Sequence, residues 1–253
     1  MLKTRVIPTL LFKDHGLVKG KKFNSNRGVG SVIPAVKIYN LREVDELIFL
    51  DVDITNSNKN LNLDIVREIA QVSFVPLTVG GGVKNLNDIE DLLKNGADKV
   101  SINTEAFKNP KLIKEAAKVF GSQCITVSVD FCKNVENDPI VWINSGQVNT
   151  NFSLYNWIKK VEDLGAGELL ITSIDNDGTF QGYQTDIYKE IVKMVTVPVI
   201  ASGGAGKLSD FVDVVQNGNV SAVAAASLFH FTEMTPMDVK NDMKKNNINI
   251  RVS

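Results

Sequence analysis

The chain has 253 residues, with 28 Lys and Arg against 29 Asp and Glu, a formal net charge of −1, and a hydrophobic share of 43%. That balance argues against a nucleic acid or other polyanion as the main partner, and the apolar share is ordinary for a globular core. The opening stretch MLKTRVIPTLLFKDHG is broken by Pro8 and then charged, too short for a membrane span and without a signal-peptide cleavage site, while Cys124 and Cys132 read as buried free thiols suited to a reducing cytoplasm.

Short β-rich runs recur in chain order: RVIPTLLF (5–12), LIFLDVD (47–53), PLTV (76–79), KVSIN (99–103), CITVSVD (124–130), LLITSID (169–175), PVIAS (198–202) and AVAAAS (222–227). They are continuously apolar and do not alternate, as parallel strands covered on both faces should be. Between them lie stretches with helical spacing. Asn87–Leu93 sets Ile89, Leu92 and Leu93 on one face, with Asn85 or Asn87 able to cap it. Pro110–Phe120 begins with a proline, and Ser153–Leu164 groups Trp157, Ile158 and Val161. Gly96, Gly121, Gly165 and Gly218 fall where helices should stop.

Eight strand–helix units with short connections predict an α/β chain that forms a single (β/α)8 TIM barrel over residues 1–253. A doubly wound open sheet is the alternative arrangement. The longest non-helical insertions, 13–31 and 131–152, both leave the C-terminal ends of strands, where barrel enzymes build their sites.

Two stretches are imperfect copies of each other: VPLTVGGGVKNLNDIEDLLKNGADKVSINT (75–104) and VPVIASGGAGKLSDFVDVVQNGNVSAVAAAS (197–227). Gly81 and Gly203 stand 122 residues apart, as do Gly82 and Gly204, Asp88 and Asp210, and Gly96 and Gly218. This is a two-fold half-barrel repeat, and it favours closure into a ring. Glycines after a strand let backbone N–H groups approach an anion, and a following helix start adds positive potential. One such loop is weak evidence; two at symmetric places suggest a ligand with phosphate at each end. The strand-1 insertion adds Lys19, Lys21 and Lys22, either drawn to phosphate or solvated on a loop.

Acidic residues at strand ends supply candidate chemistry: Asp51 and Asp53, Asp130, and Asp175 and Asp177. A capping or solvated role is the ordinary one for most of these, and it is weakest for Asp130, which ends an apolar run at the barrel mouth. There is no HExxH pattern, Cys/His cluster or nucleophile elbow, and His15 and His230 are the only histidines, so no metal, triad or cofactor is expected.

The segments RVIP, LVKG (17–20), VDELIFLD, PLTVGGG, GADKVSINT, FGSQCI, LGAGELLITSID, NDGT, QGY, PVIASGGAG and SLFHF run along the whole chain. Together they resemble the cyclase (HisF) subunit family of imidazole glycerol phosphate synthase. The resemblance implies a (β/α)8 barrel that takes ammonia from a HisH-type glutaminase subunit and uses it on a diphosphorylated substrate. Its products are imidazole glycerol phosphate and an aminoimidazole carboxamide ribotide. It also implies phosphate contacts at Gly82, Asn103 and Thr104 on one side, and at Asp177, Gly178, Gly204, Ala226 and Ser227 on the other.

The family's chemistry rests on two aspartates, at the ends of strands 1 and 5. Asp130 matches the second; where the family reads CLDVKD this chain reads TLLFKD, which places Leu11 at the first and Thr9 at the usual cysteine. Leucine has no proton to exchange, so the acid–base pair is broken. Asp14, three residues on, matches a different loop residue of the family. At the opposite end the resemblance implies an ammonia gate of Arg5, Glu46, Lys99 and Glu168, all present, and a glutaminase contact at Asp98. Glu46 and Glu168 are again 122 residues apart. Four charges balanced in sign suggest a closed salt-bridge ring, although solvated strand starts are the commoner use of such residues.

Three functions follow. A branch of the family with leucine at this place is associated with acetamidino sugars of surface polysaccharides and passes ammonia to a separate sugar amidotransferase; RVIPTLLFKDHGLVK and EVDELIFLDVD look like that branch, which makes ammonia delivery the leading expectation. The second is a working histidine-pathway cyclase, and the third a phosphosugar-binding barrel without ammonia transfer. None needs a nucleic acid or a membrane.

Overall fold

A computed structural model of the chain describes residues 3–54 and 62–251, leaving aside the side chains of Ser25 and Asn26. The first half runs β1 (Arg5–Lys13), β2 (Gly16–Lys21), β3 (Asn24–Gly30), α1 (Val32–Leu41), β4 (Leu47–Asp51), α2 (Leu63–Val72), β5 (Leu77–Gly80), α3 (Leu86–Lys94), β6 (Lys99–Ile102), α4 (Thr104–Lys108) and α5 (Lys111–Phe120). The second runs β7 (Ile125–Lys133), β8 (Pro139–Ile143), β9 (Val148–Ser153), α6 (Leu154–Asp163), β10 (Glu168–Ser173), α7 (Thr185–Met194), β11 (Val199–Ser202), α8 (Leu208–Gln216), β12 (Ala222–Ala225), α9 (Ser227–Phe231) and α10 (Pro236–Lys245).

Strands β1, β4, β5, β6, β7, β10, β11 and β12 pair in parallel in that order, and β12 returns to β1, with Arg5 opposite Ala222 and Ile7 opposite Ala224. That pairing closes a (β/α)8 TIM barrel and removes the open-sheet alternative. The eight runs expected from sequence are the eight barrel strands.

Two-residue periodicity decides which side chains enter the barrel. On β1, Val6, Leu10 and Phe12 join the large core between strands and helices, whereas Ile7 belongs to a separate cluster with Ile48, Leu170, Ile200, Ala222 and Ala224. Arg5, Thr9 and Leu11 share the inward parity of Ile7; Glu168 and Thr172 share that of Leu170. On β7, Val127, Val129 and Phe131 pack outward, so Thr126, Ser128 and Asp130 point in. The inward file of each strand thus starts at the base and ends at the mouth, and the apolar cluster lies between.

The helices follow their apolar spacing. In α3 Ile89 and Leu92 are buried, and Leu93 only partly so. Asn85, not Asn87, is the cap: its side chain accepts from the Asp88 N–H at 3.0 Å, while Asp88 accepts from the Lys84 N–H at 2.7 Å. The repeat keeps this device, Asp210 accepting from the N–H groups of Gly206 and Lys207 at 2.8 and 3.0 Å. In α6, Leu154, Trp157, Ile158 and Val161 are buried.

Two expectations need correction. The insertions after the first and fifth barrel strands are antiparallel hairpins, β2–β3 and β8–β9, which continue β1 and β7 beyond the barrel rim. The cysteines are free but only half-buried. Cys124 lies in a single helical turn ahead of β7. Cys132 lies on the part of β7 that pairs with β8 outside the barrel, where burial and the neighbouring Asp175 push its thiol up to about 12.

Candidate functional site

The mouth of the barrel holds a cavity of about 280 Å³. Of the residues singled out from sequence, Leu11, Asn103, Thr104, Asp130, Asp177, Gly178, Gly204, Ala226 and Ser227 line it. Gly82 does not; its neighbour Gly81 takes that place.

Asp130 is the chemical centre of this cavity. Its side chain is carried inward by the parity of β7, is 7% exposed, and accepts a hydrogen bond from Asn103 Nδ2 at 2.9 Å. Burial pushes its carboxyl up to about 7, with the Asn103 bond pulling down and the charge of Asp177 adding to the rise. A carboxyl poised there exchanges protons readily at neutral pH. Leu11 lines the same cavity from β1. The other acids have structural duties: Asp51 accepts from the N–H groups of Asp53 and Ile54, and Asp175 from that of Lys133.

Lys19 is 3% exposed and lines the cavity, because the β2–β3 hairpin folds back over the mouth. The Lys22 N–H donates to the Asp177 carbonyl at 2.8 Å and fixes that hairpin. Burial lowers the Lys19 pKa against the pull of Asp177, and burial raises that of Asp177 against the pull of Lys19. Asp177 uses its own N–H in a turn, donating to the carbonyls of Ser173 and Ile174 at 3.0 and 3.2 Å, so it presents the cavity with a carboxylate facing a lysine. Lys21 and Lys22 are exposed. The tip of the β8–β9 hairpin is held from the other side, the Asn144 N–H donating to Thr104 Oγ1 at 3.0 Å. The two tips meet where Phe23 lies against Gly146.

Beside this centre the repeat places two similar glycine loops, with Gly81 of the first and Gly203 and Gly204 of the second lining the cavity. Gly82 (φ +70°) and Gly204 (φ +117°) hold positions that L side chains rarely adopt; a Cβ at Gly82 would overlap the Ile54 side chain, and one at Gly204 would strike the Gly182 carbonyl. Beside each loop a short helix begins, α4 at Thr104 and α9 at Ser227, with Asn103 and Ala226 at equivalent preceding positions. Ser227 Oγ and Thr9 Oγ1, both buried and both in the cavity wall, have no hydrogen-bond partner among the described residues. An unpaired buried hydroxyl costs free energy unless a ligand or water completes it.

At the opposite end the four charged residues form a closed ring. Arg5 donates to Glu46 at 2.7 Å and to Glu168 at 2.6 Å; Lys99 donates to Glu46 at 3.1 Å and to Glu168 at 2.9 Å. Each is the first inward residue of its strand file, which is why residues far apart in sequence meet. Burial works against the Arg5 charge, but Glu168 and Glu46 more than offset it and hold the guanidinium above its ordinary value. Asp98 is exposed beside this ring and accepts from the Leu77 N–H at 2.8 Å, which is an intrachain role.

His230 is half-buried against the helices around the barrel. Its ring meets Tyr39 edge-on at 6.1 Å, and burial with the charges of Lys19 and Arg42 brings its pKa down to about 4. No helix of the described residues is long and apolar enough to cross a membrane. Sequence reasoning missed the burial of Lys19, the Asn103–Asp130 bond and the buried Lys240, since each depends on a contact between elements distant in the chain.

Residues 5–235 match the family described as histidine biosynthesis protein. The "Imidazole glycerol phosphate synthase subunit HisF" of Clostridium botulinum (strain Kyoto / Type A2) is 45% identical over 253 residues, covering 100% of both chains. Proteins of the same name from Hydrogenobaculum sp. (strain Y04AAS1) and Bacillus cereus (strain Q1) are 45% and 44% identical, again over 100% of both chains. The chain, a closed barrel with a duplicated mouth and a charged ring at its base, belongs to the histidine biosynthesis protein family and within it to the HisF group.

Proposed function

We propose that this chain is the barrel subunit of a glutamine-dependent synthase of the imidazole glycerol phosphate synthase type, receiving ammonia at its base from a HisH-type glutaminase and using it at the mouth. The observation that carries this reading is the ring of Arg5, Glu46, Lys99 and Glu168. Four partly buried charges are costly to desolvate and gain little over apolar packing in stability. A paired ring at the foot of a barrel is, however, a barrier that opens when one member swings away. Lys99, a flexible side chain with two partners, is that member. Glu46→Ala and Lys99→Ala should each lower the glutamine-dependent rate at least 5-fold while leaving the ammonium-dependent rate within 2-fold. Unchanged coupling in both would remove the gate.

At the mouth, the cradles at Gly81–Thr104 and Gly204–Ser227 support a ligand phosphorylated at both ends, with Ser227 Oγ as one waiting donor. Gly204→Ala forces a Cβ against the Gly182 carbonyl. It should weaken inorganic phosphate binding at least 10-fold by calorimetry, with Gly81→Ala, whose Cβ would meet the Asp51 carbonyl, affecting the other cradle.

What happens to the ammonia divides into two readings. The names of the relatives favour ring closure on the histidine-pathway precursor, with Asp130 exchanging the protons. Leu11 favours the second: a barrel that conducts ammonia to a separate amidotransferase for a surface-polysaccharide sugar. The relatives thus support the cyclase more than the polysaccharide branch expected from sequence, which rests on Leu11 and on the segments RVIPTLLFKDHGLVK and EVDELIFLDVD. Turnover of the diphosphorylated precursor with ammonium salt separates them: a rate normal for the family supports ring closure, and no turnover supports delivery. Failure to bind any glutaminase would leave a phosphosugar-binding barrel.

A further inference from the structure

Lys240, in the middle of α10, is 2% exposed, and its ammonium group donates to the Glu43 carbonyl at 2.6 Å and to Asp45 Oδ1 at 2.8 Å. The other oxygen of Asp45 accepts from the Val6 N–H at 2.8 Å. Asp45 directly precedes Glu46, and Val6 directly follows Arg5. One buried ion pair therefore touches the chain one residue away from both partners of the Arg5–Glu46 contact. The segment after α10 holds the other flank: the Thr4 N–H donates to the Asn249 carbonyl at 2.8 Å, and Thr4 bridges Ile250. Thr4 and Val6 are thus both pinned, with Arg5 between them. A similar construction stands at the opposite corner, where Asp98 precedes Lys99 and accepts from the Leu77 N–H, but there the acid is exposed.

We infer that Lys240 is a positioning residue for the base ring: through Asp45 it sets the strand starts from which Arg5 and Glu46 meet. Stability alone is a poor reason for a wholly buried lysine, because apolar groups of similar volume often serve a core as well or better. Geometry is a better one. Asp45 must be held in place to accept from two donors on opposite sides, and an ammonium group bonded to its second oxygen holds it there.

The test begins with the isolated chain labelled with ¹⁵N. In the wild type the Arg5 guanidinium and the Val6 amide should exchange hydrogen slowly. Lys240→Met should speed both at least 10-fold. Asp45→Asn, which keeps the packing but offers one acceptor where two are needed, should act in the same direction and serves if Lys240→Met does not fold. Val239→Ala, a cavity in the same helix, should lower stability without selectively changing either exchange rate. No acceleration in the folded Lys240 and Asp45 variants, or an equal one in Val239→Ala, overturns the inference.

A second arm, which rests on the proposed ammonia passage, measures free ammonia released per glutamine hydrolysed in the complex with the glutaminase. Lys240→Met should raise that release at least 3-fold, and Glu46→Ala should do the same. If Glu46→Ala changes the release and the two positioning variants do not, the inference fails and the passage stands. If exchange accelerates as expected but Glu46→Ala changes nothing, the passage fails and the positioning role stands.

Discussion

Asp130→Asn should sharply lower turnover and at the same time make the protein more stable, by an amount that depends on pH. The carboxyl is buried at the barrel mouth with one hydrogen bond from Asn103, and its pKa rises from 3.8 to about 7. A folded-state pKa above the unfolded value means that the folded chain binds the proton more tightly. The stability linked to this group is therefore fully present below about pH 4 and is lost as pH rises to about 7. Above that, the wild type bears the full cost of an ionised buried carboxylate, on the order of 4 kcal/mol from the shift. The amide that replaces it has no such cost and can still accept from Asn103. A gain in melting temperature of several degrees at pH 8, shrinking toward pH 4, is the expected result in paired thermal scans. Activity should fall about 10²–10⁴-fold, the usual worth of a general acid–base group. A variant that is less stable than wild type at pH 8 would mean that Asp130 is not strained by its surroundings.

Leu11→Asp should have the opposite pair of effects if the missing acid is what keeps the mouth from closing rings. Leu11 has inward parity on β1 and lines the same cavity as Asp130, so an aspartate there would face the site without further rearrangement. Turnover of the diphosphorylated precursor with ammonium salt should rise about 10²–10⁴-fold from a low wild-type rate. Two carboxylates in one small cavity titrate as a pair, and the pH–rate profile should become bell-shaped. Removing the leucine side chain and adding a charge should cost about 2–4 kcal/mol. No gain in a folded variant would locate the deficit elsewhere in the mouth. A wild type already turning over at the family's rate would show that Asp130 works without a second carboxylate.

The barrel was legible because its strands are continuously apolar and its helices carry an apolar stripe, so local pattern and final architecture agree. The ring was legible because the resemblance supplied its positions; strand parity then explains why Arg5, Glu46, Lys99 and Glu168 meet. The hairpins were not. β3 reads NSNRGVG, polar and glycine-rich, and the turn ahead of it is made by Lys22 and Phe23 in the left-handed region at φ +52° and +59°. Neither residue is a turn signal, so the segment looked like a loop with three solvated or phosphate-seeking lysines. Once the hairpin folds back, Lys19 enters the cavity and Lys21 and Lys22 stay outside. Buried partners such as Lys240 and Asp45, 195 residues apart, leave no local trace at all.

The duplicated mouth has a consequence for the direction in which a ligand lies. In the proposed reading Gly81 with Thr104 and Gly204 with Ser227 are two similar seats, and a molecule phosphorylated at both ends could be held head-first or tail-first. What gives the cavity a polarity is the part where the halves differ: a carboxyl on β7, an apolar side chain on β1, and a buried lysine beside Asp177. With Leu11 on β1, Asp130 is left without the second acid of the pair, and in the proposed reading the orientation of the ligand decides which of its carbons lies beside that single acid.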